Sequence, residues 1–438
     1  MFDALSGLGA GGQRAASVSL TDEANAALYA CFAVVGFFGG SIVNTLGPRY
    51  TFFLGTLGYT IYIGSLWSLD RNGNRGFVVA GGVLCGISAG LLWSVHGMIT
   101  MAYPEEKDKA KGFAITWSLL SIGATLGGLI PLLQNLHRPD DSGVNTGTYL
   151  GFLIVMLVGV CVSLTLCDPK AVRRKSGLPL EDFKQTDFRT EIIGVFKLVT
   201  DKKIMMLLPA FFASNFFYSY QFGMNAFYFS LRTRSLNSLI YWLTQVIGTF
   251  FIGAVLDNHR MGRRKRGLLG LAIVSIFVLG TWAGGVAFQV TFTRKTDPPP
   301  NVDWTSSKFG GPFVLYFMYG MSDAMWQSWC YWIMGSLTNE TFRLARYAGF
   351  YKGIQSAGSA ISFGIDAAGT PFMNEVVANF ILMGCSIPLM AYVACQTVET
   401  NYGLESEIFD PTAPLPVTNC DEGSDDVDQV STHHPQKV

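Results

Sequence analysis

Gly40-Ser41-Ile42-Val43-Asn44-Thr45-Leu46-Gly47-Pro48-Arg49 ends one long apolar run and opens the next. In the second half of the chain Gly253-Ala254-Val255-Leu256-Asp257, followed by Gly262-Arg263-Arg264, does the same. Each copy has a Gly, a polar residue four positions on, then Gly and Arg. The first keeps that spacing with Asn44 at the polar position; the second keeps Asp257 but has two extra residues before Gly262. A glycine lets two helices approach closely. The polar side chain can accept from the unpaired N–H groups of a neighbouring helix N-terminus, where the dipole also favours it. Arginine suits the headgroup layer. Such a network could lock two halves together in one conformation and release them in another. The plainer alternative is that the basic residues only mark the inner membrane surface.

Working outward, the flanks of both copies are apolar. Half of the 438 residues are apolar and 14% are charged, against about 25% charged in soluble domains. The charges cluster in short stretches. Between them lie runs of about 20 residues, enough to cross a ~30 Å hydrocarbon core. Only helices and closed barrels satisfy their backbone in lipid, and runs of this length read as helices. Eleven spans are expected, near 24–46, 50–69, 77–101, 112–134, 148–167, 204–231, 236–256, 267–290, 311–337, 346–366 and 375–397. A glycine-rich stub, 1–12, is too short to cross alone. The tail, 398–438, is polar, has an acidic patch at 421–428, and reads as disordered.

Loop charge sets the orientation. With the loop after the span ending near Leu46 inside, the inner segments hold twenty Lys and Arg and the outer ones nine, as the positive-inside rule requires. The C-terminus is then cytoplasmic, in the plasma membrane or an internal membrane. A long basic loop leaves six spans after it and five plus the stub before it. This is the plan of parallel repeats: an N-terminal bundle, 1–167, with its first helix incomplete; a cytoplasmic loop, 168–203; a C-terminal bundle, 204–397; and the tail, 398–438. Truncation of the first helix is the expected cause of the odd count. A true eleven-span protein with a re-entrant start is the rival.

The repeated motif resembles the Gly-x-x-x-Asp-x-x-Gly-x-Arg loop of the major facilitator superfamily, found between helices 2–3 and 8–9. The stub Met1-Phe2-Asp3-Ala4-Leu5-Ser6-Gly7-Leu8-Gly9-Ala10-Gly11-Gly12-Gln13 resembles the end of helix 1 in the Unc-93-like branch, especially its fungal members. Gly39 to Arg49 looks like that branch's helix 2–3 signature. The similarity runs to about residue 400. It implies two bundles of six helices, Gly40, Asn44, Gly47, Arg49, Gly253, Asp257, Gly262 and Arg263 as conformational loop residues, and either transport of a small solute or ion by alternating access or an accessory role toward another membrane protein or channel.

Ionisable residues inside spans are costly and point to function. Asp323 lies midway along 311–337 with Ser322, Trp326, Gln327 and Cys330 on its face, and Lys352 lies in the next span. The two could pair across the hairpin; alternatively, Lys352 could snorkel to the surface. Ser214, Tyr218, Gln221 and Asn225 form one stripe along 204–231, with Asn215 beside it. His96, with Trp93 and Thr100, could relay protons or be a hydrogen-bonded structural residue. Asp3 would lie in the membrane if helix 1 is completed upstream, while Asp366 and Glu375 fall near the outer surface and should be solvated. Trp326, Trp329 and Trp332 could form an aromatic outer surface for a partner.

The net charge is zero, so nothing argues for nucleic acid. No Walker sequence, Ser/His/Asp arrangement or zinc motif occurs, so neither an enzyme nor a cofactor is expected. The cysteines, most inside apolar runs, read as packing residues. The Asn339-Glu340-Thr341 sequon falls on an inner loop and should be unused. The expected partners are lipid and an unidentified solute or ion, with another membrane protein on the alternative, accessory reading.

Overall fold

In a computed structural model, residues 2, 18–135, 146–167 and 188–401 are described. Most of the stub with Asp3, the start of the inter-bundle loop and most of the tail lie outside them. The chain is all-α. The first half contributes α1 (Val18–Leu46), α2 (Pro48–Asn72), α3 (Arg75–Ala102), α4 (Lys109–Asn135) and α5 (Thr146–Ser163). A helix inside the expected loop, α6 (Phe188–Leu198), follows. The second half has α7 (Lys202–Ala213), α8 (Tyr218–Tyr228), α9 (Leu231–Leu256), α10 (Arg263–Gln289), α11 (Gly310–Leu337), α12 (Thr341–Ala367) and α13 (Phe372–Cys395).

Local chemistry places the helix ends. Gly47 turns α1 into α2 at φ 82° with Pro48 opening the next helix; this conformation excludes most side chains, and Pro is suited to a first helical turn. Gly73 ends α2 at φ 66°. Asp201 caps α7 through the N–H groups of Lys203 and Ile204.

Eight helices, α1–α5, α9, α10 and α13, are long and apolar enough to cross a membrane. The remaining expected spans differ for physical reasons. α11 and α12 carry Asp323, Gln327, Lys352 and Gln355 and are buried over most of their length, so protein rather than lipid surrounds them. The run 204–231 is not one helix. It breaks at Ser214–Phe217 into α7 and α8, which the sequence reading missed. Lipid cannot satisfy a broken backbone, and α12 does so instead: Ser359 Oγ donates to the Asn215 carbonyl at 3.3 Å and Ser362 Oγ donates to that of Phe216.

The halves meet along two seams, α1 against α12 and α4 against α9. The first depends on paired small residues, Gly36 and Gly40 facing Gly349 and Gly353. A Cβ on Gly349 would sit 2.6 Å from the Gly40 nitrogen, and one on Gly353 would sit 2.8 Å from the Phe37 nitrogen. A Cβ on Gly40 would strike the Ala345 carbonyl. This is the small-residue spacing that lets membrane helices touch backbone to backbone. Gly40→Val should lower the thermal unfolding midpoint in detergent, through about 1–3 kcal/mol of overpacking. Gly64→Ala, with open space around it, should leave the midpoint unchanged or raise it. Equal behaviour of the two variants would refute the close seam.

Candidate functional site

The seams enclose a small cavity at the middle of the bundle, with a volume of about 30 Å³, room for ~2 waters. Tyr29, Tyr59, Trp93 and Trp117 line it from the first half, and Asn215, Tyr218, Gln327, Lys352 and Gln355 from the second.

Asp323 lies just behind this wall, 2% exposed. Its Oδ2 accepts from Tyr218 Oη at 3.0 Å, Tyr241 Oη at 2.9 Å and Gln245 Nε2 at 3.1 Å, and its Oδ1 accepts from Gln327 Nε2 at 2.7 Å. Gln245 Oε1 in turn accepts from Trp117 Nε1 at 2.8 Å, which ties the carboxylate to the other half across the α4–α9 seam.

Lys352 makes no direct ion pair with Asp323; the Gln327 amide stands between them. Lys352 Nζ donates to Gln355 Oε1 at 2.7 Å and to Gln327 Oε1 at 3.4 Å, while Gln327 offers its N–H to Asp323. The ammonium does not snorkel. It sits 4.3 Å from the Trp93 ring centroid and within 5.6 Å of Trp117, Tyr331 and Tyr351. Aromatic faces attract a cation most when water is excluded.

The structure separates the other expected residues. Tyr218 reaches the cavity wall, while Gln221 and Asn225, one and two turns further along α8, do not line it. Asn225 Oδ1 accepts from Asn237 Nδ2 at 3.0 Å on α9. The Gln221 carbonyl accepts from Tyr316 Oη at 2.6 Å. His96 has both ring nitrogens buried without a hydrogen-bond partner among the described residues, and it packs edge-on to Trp93 at 5.3 Å. Trp326, Trp329 and Trp332 are buried rather than outward. Asp366 and Glu375, expected in solvent, are 3% exposed each, because the loop carrying Arg294 folds over them. The sequence reading missed Tyr241, Gln245, Trp117 and Gln355, neutral groups that carry no signal of their own.

The loop residues lie together at one end. Asp257 accepts from the backbone N–H of Ala110 at 3.2 Å and of Lys111 at 2.6 Å, in the first turn of α4. Burial pushes its carboxyl up to about 6 against the lowering effect of those N–H groups. Arg263 pairs with Glu106 at 2.6 Å, both nearly buried, so it does more than mark the surface. Gly262 leaves room for Glu399, whose Oε2 accepts from the Arg263 N–H at 2.8 Å. Gly253 packs against α4 in ordinary contact. Lys109 Nζ donates to the carbonyls of Gly335 and Thr338. Asn44 Nδ2 donates to Glu191 Oε2 at 2.9 Å, and Arg346 holds both oxygens of Glu191 at 2.9 and 2.7 Å. Of the set, Arg49 and Gly262 are exposed.

Asp257→Ala should uncap α4 and cost about 1 kcal/mol, read as a lower unfolding midpoint at neutral pH. A carboxyl raised in the folded state makes stability fall as pH rises from about 4 to about 6, and the variant should lose that slope. An unchanged slope would show that Asp257 does not titrate there.

The chain matches the family model described as "Ion channel regulatory protein UNC-93" over residues 23–370. It is 40% identical over 414 residues to UNC93-like protein C922.05c of Schizosaccharomyces pombe, covering 93% of this chain and 82% of that one. It is 39% identical over 393 residues to UNC93-like protein 1 of Arabidopsis thaliana, covering 89% and 85%. Among solved structures its fold is similar to that of the proton:xylose symporter XylE of the major facilitator superfamily, with TM-score 0.57 at 14% identity, covering 89% of this chain and 93% of that one. It is also similar to the human organic anion transporter MFSD10, with TM-score 0.55 at 15% identity, covering 86% and 83%. A major facilitator-type fold at this sequence similarity places the chain in the UNC-93 family.

Proposed function

We propose that this chain is a secondary transporter that moves a small solute by alternating access, with Lys352, Gln327, Gln355, Asn215 and Tyr218 as its central binding surface and Asp323 as the buried anchor behind it. One observation carries this reading: an ammonium held inside the membrane region, on a cavity wall to which both halves contribute. A buried charge is retained where it has a task. Lys352 donates to the Gln355 and Gln327 amides and lies against ring faces, a setting in which the ammonium suits an acceptor-bearing or anionic group of a solute. The Asp257, Arg263 and Glu191 contacts then act as the latch of one end, which the positive-inside rule puts on the cytoplasmic side together with the C-terminus.

A second reading, an accessory protein that regulates or escorts another membrane protein, is favoured by the wording of the family description. The burial of Trp326, Trp329 and Trp332 removes the aromatic surface that would have served it.

Uptake by proteoliposomes against a panel of metabolites separates the two. For a transported solute, Lys352→Ala should reduce uptake tenfold or more at unchanged expression, and Asp323→Asn should reduce it less, since an amide keeps part of the hydrogen bonding. Absence of flux for every solute, with a stable co-purifying membrane partner, would sink the transport reading. Normal uptake by both variants would remove the Lys352 site.

A further inference from the structure

At the end of the bundle remote from the Asp257 latch, Arg294 folds in from the α10–α11 loop. It donates to Asp366 at the end of α12 and to Glu375 in the first turn of α13 at 2.8 Å. Its Nε donates to the Thr370 carbonyl at 2.6 Å, and its guanidinium lies 3.6 Å from the Phe372 ring centroid. Two carboxylates thus share one cation. Asp366 Oδ2 and Glu375 Oε2 are buried with no hydrogen-bond partner. On α8, Gly223 presents bare backbone there; a Cβ would come within 2.9 Å of Asp366 Oδ2.

A third carboxylate comes from the other half of the chain. Asp22, near the start of α1, is 6% exposed and makes no hydrogen bond or ion pair among the described residues. The charges it faces across the seam are Asp366, Arg294 and Glu375, with Glu23 on its own helix. Further down the same seam Tyr29 stacks on Phe363 at 5.5 Å, so α1 and α12 are in contact there. The other titratable neighbours are neutral phenols. Tyr220 of α8 donates to Gln289 and lies beside Tyr319 of α11, facing Glu375; Tyr62 of α2 donates to Asn25 and faces Asp22. Among the described residues Arg294 is the one cation facing the three acids.

Fully ionised, three carboxylates and one guanidinium leave a surplus of two negative charges away from water. Like charges that share a buried site do not all ionise; they hold protons between them and titrate as a group. No arrangement of three His, Cys, Asp or Glu suited to a metal ion occurs among the described residues, so a proton rather than a divalent cation fits.

We propose that Asp22, Asp366 and Glu375 form a proton-binding site on the seam between the two halves, occupied when this end is closed and emptied when it opens. Loss of the protons to water sets Asp22 of α1 against Asp366 of α12, and the repulsion acts directly across the seam. Acid therefore favours the closed end and alkali the open one. The proposal rests on the alternating-access reading only in that the halves part here, and its test needs no solute flux.

The test is hydrogen–deuterium exchange of the full chain in nanodiscs between pH 5.5 and 9, with rates corrected for intrinsic pH dependence by peptides from the Asp257 end. Peptides covering 20–30 and 360–376 should gain exchange as pH rises, with a single midpoint. Asp22→Asn removes one acid and should move that midpoint up by a pH unit or more, while Asp22→Glu should leave it near wild type. Glu375→Gln serves if Asp22→Asn does not fold. Exchange that tracks the reference peptides at every pH overturns the proposal, as does a midpoint indifferent to Asp22→Asn and Glu375→Gln. A midpoint set by Na⁺ or K⁺ at fixed pH would also overturn it, by showing a metal-cation site. Absence of transport with the midpoint shift intact would reject the transporter and keep the proton site.

Discussion

Backbone amides in hydrocarbon must find partners within the protein, and the break at Ser214–Phe217 turns that constraint into architecture. The turn keeps i→i+3 bonds, Tyr218 N–H to the Asn215 carbonyl at 3.2 Å among them, and Ser359 and Ser362 of α12 add donors to the Asn215 and Phe216 carbonyls. α12 must therefore lie against α7 and α8, which brings Lys352 and Gln355, on the same helix, to face Asn215. Gln355 Nε2 then donates to Asn215 Oδ1 at 2.9 Å. The polar centre is in this sense a by-product of repairing a broken helix.

The same helix forms the seam. Gly349 and Gly353 of α12 meet Gly36 and Gly40 of α1 backbone to backbone. Without a side-chain cushion, any tilt of one half shifts α12 as a whole, and with it the serines, Lys352 and Asp366. Contacts at both ends of the bundle and at its middle are thus mechanically joined through one element. Packed interfaces of this kind have discrete arrangements rather than continuous ones.

Much of this was legible in the sequence where the physics acts on single residues. Apolar length gave eight of the eleven expected spans, because crossing lipid is a property of the run itself. Asp323 and Lys352 stood out because an ionisable group in an apolar run is costly wherever it points. The Gly253–Asp257 spacing announced a side chain that accepts from a neighbouring helix N-terminus, and the structure supplies Ala110 and Lys111. What stayed hidden depends on a third partner. Nothing in Phe211-Phe212-Ala213-Ser214-Asn215-Phe216-Phe217 breaks a helix by itself; the serines that allow the break lie far along the chain. Gln245 and Tyr241 look like ordinary polar residues until Asp323 is set between them. Asp366 and Glu375 were misplaced because their distance from the helix ends suggests solvent, while the loop that covers them belongs to Arg294.

The two ends differ in how their charges are matched, and this bears on which opens first. At the Asp257 end the buried charges are paired: Arg263 with Glu106, and Arg346 with Glu191, which Asn44 also contacts. Opening there must break these charge-assisted hydrogen bonds together. At the other end one guanidinium serves two carboxylates while a third stands unpaired, so parting there returns surplus charge to water and relieves repulsion. A cavity of about 30 Å³ holds no solute, so on the alternating-access reading a solute must first meet an open form. Because a ligand shifts an equilibrium only by its differential affinity for the two forms, the end with unmatched acids is the one that weak binding can open, and the paired end is the one that needs the solute in place.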